Sequence, residues 1–269
     1  MDLALSREQE QLVDAVRRTF DRASADAPSS PRAFDASALA ALDAGGLLDV
    51  VTGGGSLVDA VLVVEAAGLA GVCAPVAARV VVAPALLQRP VTQRVVALVE
   101  GEGSLVRFAP SAELFLVLVG DRARAIDAGD VRLADVDLPR GYPFARMTSV
   151  PGGTDLGPGS GARLTRLWRT ALAAEAGGLM TGAVLTAAAH VRDRRQFGRP
   201  IGSYQAVQHR LALAHVAAEG SRWLARWAAW HPDNDEHAAA AAAHAQAGAR
   251  EVVRHVHQVC GAIGITDEF

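Results

Sequence analysis

The stretch RRQFGRPIGSYQAVQHRLA, Arg194 to Ala212, concentrates more potential chemistry than any other part of the chain. Arg194 and Gln196 place charge-assisted and neutral hydrogen-bond donors in a short connection between two apolar-periodic segments. Phe197 adds a flat apolar face, and Gly198 lets backbone come close to a ligand. Gln205 is expected one turn into the following helix, on the same side as the connection. Arginine, amide and aromatic together suit a ligand that carries both phosphate and a ring. The residues alone leave that reading level with a plainer one, a helical hairpin whose arginine is simply exposed.

Other candidates carry less. Glu175, in an Ala- and Gly-rich helical segment, has the type of a buried base, but a paired or partly exposed carboxylate is the preferred reading. His237 and His244 share a helix face, yet seven residues is too far for a two-histidine metal pair. His255 and His257 project in different directions, so no metal site is expected. Trp223, Trp227 and Trp230 read as core or interface rather than as a stacking platform. The run Gly53 to Gly55 lacks the Lys-Ser/Thr of a phosphate-binding loop, and neither G-x-S-x-G nor G-x-G-x-x-G after a strand occurs.

The elements that must position these residues fall into three groups. Ser6 and Gln9 have capping-box spacing and open a helix through LVDAVRRTF. Helices follow in ASALAALDAGG and SLVDAVLVVEAAGLAG, with Gly45 and Gly71 suited to their C-caps. From Pro90 to Gly153 the segments VVALVEG, SLVRF, LFLVLVG, RAIDAG and VRLADVD are short, β-rich and separated by turns, which predicts a small antiparallel sheet. PGGTDLGPGSG reads as a flexible linker. Beyond it, Leu164, Leu167, Trp168, Ala171 and Leu172 mark one apolar helical stripe. Val207, Leu211 and Ala214 mark a second helix, broken at HPDND, and Val252, Val256 and Val259 a third that GAIG ends. The expected fold class is α+β, mainly α: an N-terminal helical domain (1–89), a small central antiparallel β domain (90–153) and a C-terminal helical bundle (154–269).

Composition narrows the function classes. The chain has 269 residues, is 51% hydrophobic and carries a formal charge of −3, so it can bury a full core but offers no basic face for nucleic acid. Cys73 and Cys260 are too few and too isolated for a disulfide framework or a zinc site. The N-terminus turns charged too soon for a signal peptide, and no apolar run reads as a membrane span. A cytoplasmic protein is expected.

RDRRQFGRPIGSYQAVQHRLA resembles the signature segment of the acyl-CoA dehydrogenase family, and VHQVCGAIGITDEF resembles its second signature, Q-x-x-G-G-x-G-[FYI]-T-x-E. The order of helices, β domain and bundle is similar as well, as is the N-terminal LSREQEQLVDAVRRTF. The resemblance implies an FAD-dependent enzyme in which a glutamate removes the substrate α-proton and the flavin takes the β-hydride, giving a 2-enoyl-CoA. It makes Arg194 the arginine that reaches the FAD pyrophosphate, typically of a neighbouring subunit. Gln196 becomes a polar FAD contact, Phe197 the aromatic beside the flavin cofactor, and Gln205 the glutamine near the adenosine. Gln258, Gly261 and Ala262 fall where the second signature meets the adenine end, with alanine in place of the second glycine. Arg169 matches an arginine that approaches coenzyme A from the first bundle helix.

The chain also departs from the family pattern. The usual catalytic glutamate lies well after T-x-E, and the minority position, one residue before the coenzyme A arginine, holds Trp168. No catalytic residue is therefore assigned. The T-E-P-x-x-G-S-D stretch that lines the flavin has no clear counterpart; RFAPSAELF stands in its region. The resemblance then points to a short, base-lacking subunit that completes a shared FAD site, in a homo-oligomer or in an α2β2 heterotetramer with a second dehydrogenase-like chain, acting on fatty acyl or steroid side-chain thioesters. Three alternatives stand beside it: a complete homo-oligomeric dehydrogenase with its base beyond residue 269, a flavin-free acyl-CoA- or partner-binding paralogue, and a related flavin oxidase.

Overall fold

The computed structural model describes residues 4–23, 34–136, 143–150 and 152–265. The N-terminal helices form where the capping signals place them. Helix α1 (Arg7–Ala23) starts on the Ser6–Gln9 box, in which each side chain accepts from the other residue's backbone N–H at 3.1 and 3.2 Å. Helix α2 (Ala36–Ala44) is capped by Asp35, which accepts from the Ala38 N–H, and ends at Gly45. Helix α3 (Leu57–Leu69) opens on a Ser56–Asp59 capping box; its C-cap is Ala70, and Gly71 follows in the left-handed region at φ 70°. A π-helical turn (Ala77–Val82) runs on into α4 (Ala83–Leu87). The sequence reading has no helix here, because a run buried on every side shows no periodicity.

The β region forms two sheets rather than one. The first has the order β1 (Val96–Val99), β3 (Leu114–Val119), β4 (Arg122–Asp127), β7 (Thr154–Pro158). The second has the order β2 (Leu105–Arg107), β6 (Phe144–Ser149), β5 (Arg132–Asp135) and is antiparallel. Two corrections follow. The β1–β3 pair is parallel, Val96 opposite Leu114 through Val99 opposite Val117, because the chain leaves for the second sheet and returns between them. Both strands are near-continuous apolar runs, as strands buried on two faces are. The second correction concerns PGGTDLGPGSG, which is no free linker: Thr154–Pro158 pairs with β4, pinned by an Arg122–Asp155 salt bridge of 2.8 Å. Gly153 makes that approach possible, since a Cβ there would stand 2.7 Å from the Ala125 carbonyl oxygen.

Three long helices make the bundle: α5 (Ser160–Asp193), α6 (Gln205–Trp230) and α7 (Asp235–Cys260, N-capped by Asn234). Helix α5 is apolar and long enough to cross a membrane by length and composition, contrary to the sequence reading, which its scattered arginines shaped. In the fold it packs against α3, α6 and α7. Its crossing with α3 is a backbone contact. A Cβ on Gly178 would collide with the Glu65 carbonyl oxygen, and one on Gly68 would lie 2.5 Å from that of Glu175. Next to this crossing, the buried Glu65 carboxylate accepts from Arg226 Nε (2.9 Å) and Nη2 (2.5 Å) and from Arg222 Nε (3.2 Å), tying α3 to α6. Burial pushes the Glu65 carboxyl up, against the opposing pull of Arg226 and Arg222. The tryptophan stripe divides: Trp223 and Trp227 are half-buried, whereas Trp230 is exposed.

Candidate functional site

Two places on the molecule gather chemistry, one at the C-terminal end of α5 and one beside its N-terminal half. At its C-terminal end, Arg195–Gln196 (β8) and Arg199–Pro200 (β9) pair as a two-residue hairpin turning through Phe197 and Gly198. Both turn residues have positive φ, 53° and 81°, the type I′ pattern that matches strand twist. Glycine accepts that conformation freely; an aromatic residue does so at a cost of about 1–3 kcal/mol. Phe197 is nonetheless 91% exposed, so nothing within the described chain rewards the strain by burying the ring. Its edge-to-face contact with Tyr204, centroids 6.4 Å apart, holds it in place. The Arg199 guanidinium lies 4.0 Å over the other ring, and the Tyr204 hydroxyl donates to the Gln196 carbonyl at 3.4 Å.

The turn borders a cleft of about 340 Å³. Gln196, Phe197 and Gln258 line it together, although the two glutamines are 62 positions apart. Tyr204, Ile201 and Arg210 line it too and were not singled out from the sequence. Tyr204 was legible as the aromatic between hairpin and helix; Arg210 only acquires a position once α6 is folded. Arg194 caps α5 and is exposed at the base of the hairpin. Gln205 is the first residue of α6, not one turn in, because Ile201–Ser203 forms a separate 3-10 turn before it. Gly261, with φ 66°, and Ala262 are exposed just past α7. The closing TDEF of the second signature lies outside the described residues.

Beside the N-terminal half of α5, a mainly apolar cavity of about 230 Å³ lies between that helix, the π-helical turn and strands β1 and β2. Trp168 forms part of its wall. Its polar members are Glu100, Arg107 and Glu175. Arg107 Nη2 donates to Glu175 Oε1 at 2.6 Å, and Nη1 lies 3.4 Å from Oε2; the side chains keep 29% and 13% of their exposure. The paired carboxylate expected at Glu175 is present, and its partner comes from β2, 68 residues away. The same pair, with Leu172, also lines an open groove of about 600 Å³ between α5 and α7 that includes Arg169. Arg169 therefore stands apart from the hairpin residues, 25 positions up α5 from Arg194, or about 37 Å at the helical rise.

The histidine candidates are packed against other side chains. His237 stacks near His231 and Trp227, at 4.9 and 5.6 Å, and His244 Nδ1 lies 3.1 Å from Ser221 Oγ. Among the described residues no three His, Cys, Asp or Glu side chains gather as metal ligands. Cys73 and Cys260 are buried and are not joined in a disulfide.

Residues 163–269 match the family model for the acyl-CoA dehydrogenase C-terminal domain. The chain is 32% identical to acyl-CoA dehydrogenase IpdE2 of Mycolicibacterium smegmatis over 226 residues, 80% of this chain and 70% of that protein. It is 37% identical to acyl-CoA dehydrogenase FadE34 of Mycobacterium tuberculosis over 144 residues, 51% of this chain but 20% of that longer protein. Among solved structures, a chain of the ChsE4–ChsE5 complex from Mycobacterium tuberculosis superposes with a TM-score of 0.83 at 21% identity, covering 100% of this chain and 90% of that one.

Proposed function

The chain belongs to the acyl-CoA dehydrogenase family, and from that premise we propose that it is a subunit of an FAD-dependent enzyme that introduces an α,β double bond into an acyl-CoA thioester. The hairpin supplies what the nucleotide half of FAD requires: an arginine for phosphate, the Gln196 and Gln258 amides, an exposed aromatic ring and open backbone at Gly198 and Gly261. Bound FAD would supply the hydride acceptor; the chain's own residues hold its phosphates and adenosine and shield them from water.

One observation carries the shared-site reading. Hairpin and cavity lie apart along α5, with the cavity's Glu175 about 28 Å and Trp168 about 39 Å from Arg194 along the helix. The hairpin of this chain therefore serves a flavin whose reactive ring belongs to a neighbouring subunit. A partner of the same family completes the site in an α2β2 assembly; in this chain Trp168 stands where a minority of the family carries its base. The likeness in fold to a chain of the two-protein ChsE4–ChsE5 complex supports that arrangement. Arg169, beside the cavity, is assigned to coenzyme A, and the acyl group, a fatty or steroid side chain, to the cavity itself.

The visible absorption spectrum tests this, recorded on the chain alone and co-expressed with a dehydrogenase-like protein encoded beside it. Flavin bands only in the complex, at less than one per chain, are expected. Bands from the chain alone would favour a homo-oligomeric dehydrogenase, and none in either sample a flavin-free binding protein.

A further inference from the structure

We propose that Glu175 and Arg107 form a proton-transfer pair for the α-carbon of an acyl thioester. The inference rests on the reading that the cavity takes the acyl group, and it adds the chemistry done there.

The position of the pair is the first argument. Arg107 and Glu175 line both the apolar cavity and the groove that holds Arg169, so they form the neck between the two. A thioester whose coenzyme A lies along the groove and whose acyl chain enters the cavity places its carbonyl and α-carbon at that neck. Arg169 precedes Glu175 by six residues, about 9 Å along α5.

The second argument is rigidity. Glu175 is largely buried, its backbone pinned where α3 crosses at Gly68, and its carboxylate is oriented by Arg107. Glu100, the other carboxylate of the cavity, is exposed at the end of β1 and has no such support. A base must be held where the proton is before its basicity matters.

The chemistry balances without an oxidant. The Cα–H bond breaks and the proton passes to a Glu175 carboxylate oxygen. The C–H electron pair forms the Cα=C bond of the enolate, while the carbonyl π pair moves onto oxygen. The Arg107 guanidinium donates to that oxygen, so the cation that orients the carboxylate also stabilises the charge that develops. Exchange of the Glu175 proton with water, followed by its return, leaves solvent hydrogen at Cα.

The test uses hexanoyl-CoA deuterated at the α-carbon, with the full chain in whatever assembly it purifies. Binding is read by tryptophan fluorescence and label by mass spectrometry. Loss of label to water is expected from the wild type. Glu175→Gln is expected to slow it about 10²-fold or more, Glu175→Asp less, and Glu251→Gln, an exposed carboxylate of α7 outside cavity and groove, not at all. Circular dichroism shows whether Glu175→Gln folds; if it does not, Glu175→Asp carries the comparison. Binding with the label retained, or exchange indifferent to Glu175, overturns the proposal and leaves the acyl-CoA reading standing. No binding of hexanoyl-CoA overturns both.

Discussion

The α3–α5 crossing offers a sharp quantitative prediction, because it depends on the absence of one carbon atom. A methyl group on Gly178 would collide with the Glu65 carbonyl oxygen and stand 2.9 Å from the Leu69 nitrogen and 3.0 Å from the Glu65 carbonyl carbon. All three are backbone atoms, so no side chain can turn away. The helices must part by about 1 Å to regain ordinary contact. Overpacking of this kind costs about 3 kcal/mol, the upper end of the usual range. Replacing a mid-helix glycine with alanine returns about 1 kcal/mol in backbone entropy. Gly178→Ala should therefore destabilise by about 2 kcal/mol, a fall in melting temperature of about 4–8 °C. Gly248→Ala is the matched control. It also lies inside a bundle helix, but its added Cβ meets Ser221 Oγ at 3.4 Å and the Ala217 carbonyl at 3.5 Å, ordinary contacts. It should be neutral or stabilising by up to about 1 kcal/mol. Urea unfolding of both variants beside the wild type decides the matter. Equal stability of the two would refute the claim that α3 and α5 meet backbone to backbone. Glu175 lies one turn before Gly178, so the first variant should also disturb the Arg107 ion pair.

Phe197→Asn should raise the melting temperature slightly, since asparagine tolerates φ 53° better, while weakening flavin retention in the assembled complex; a lower melting temperature would show that the ring is supported. Arg194→Ala should weaken FAD binding by about 1.5–3 kcal/mol, the worth of a charge-assisted phosphate contact, as measured by flavin titration; unchanged affinity counts against the assignment. The His255 imidazole is held below its usual range, first by burial and then by Arg254. The folded state thus binds fewer protons than the unfolded one. This contribution to stability is complete above the unfolded value near 6.5 and is lost as pH falls through the folded value. His255→Gln should flatten that part of a stability–pH profile, and an unaltered slope would assign it elsewhere. Burial pushes the Cys73 thiol up, so alkylation by iodoacetamide at neutral pH should proceed only as fast as the fold opens; rapid labelling of the native chain would contradict its burial.

How much of this was legible beforehand depended on the range of the interactions involved. Local chemistry was readable: the Ser6–Gln9 box, the helix stop at Gly45, the break at HPDND and the residue types of the hairpin all act within a few positions of themselves. The apolar stripe through Leu164, Leu167 and Ala171 marks a buried face because its period of about 3.6 residues is a property of the chain alone. Three other features have no local signal. The β1–β3 pairing is parallel because of where the intervening chain travels, which no strand composition encodes. The π-helical turn at Ala77–Val82 is surrounded by core, so its hydrophobicity has no period. The Arg107–Glu175 pair joins positions 68 residues apart, and only the packing of the β region on α5 sets its geometry. The sequence by itself determined which residues offer donors, rings and carboxylates. The tertiary structure decided which of them meet, bringing Gln196 to Gln258, setting Arg169 far from Arg194, and taking Glu175 from a helix position read as a paired or partly exposed carboxylate to the neck of a cavity. The physical reason is that a side chain's type is fixed by covalent chemistry, whereas its neighbours are chosen by burial and by the long-range closure of the chain.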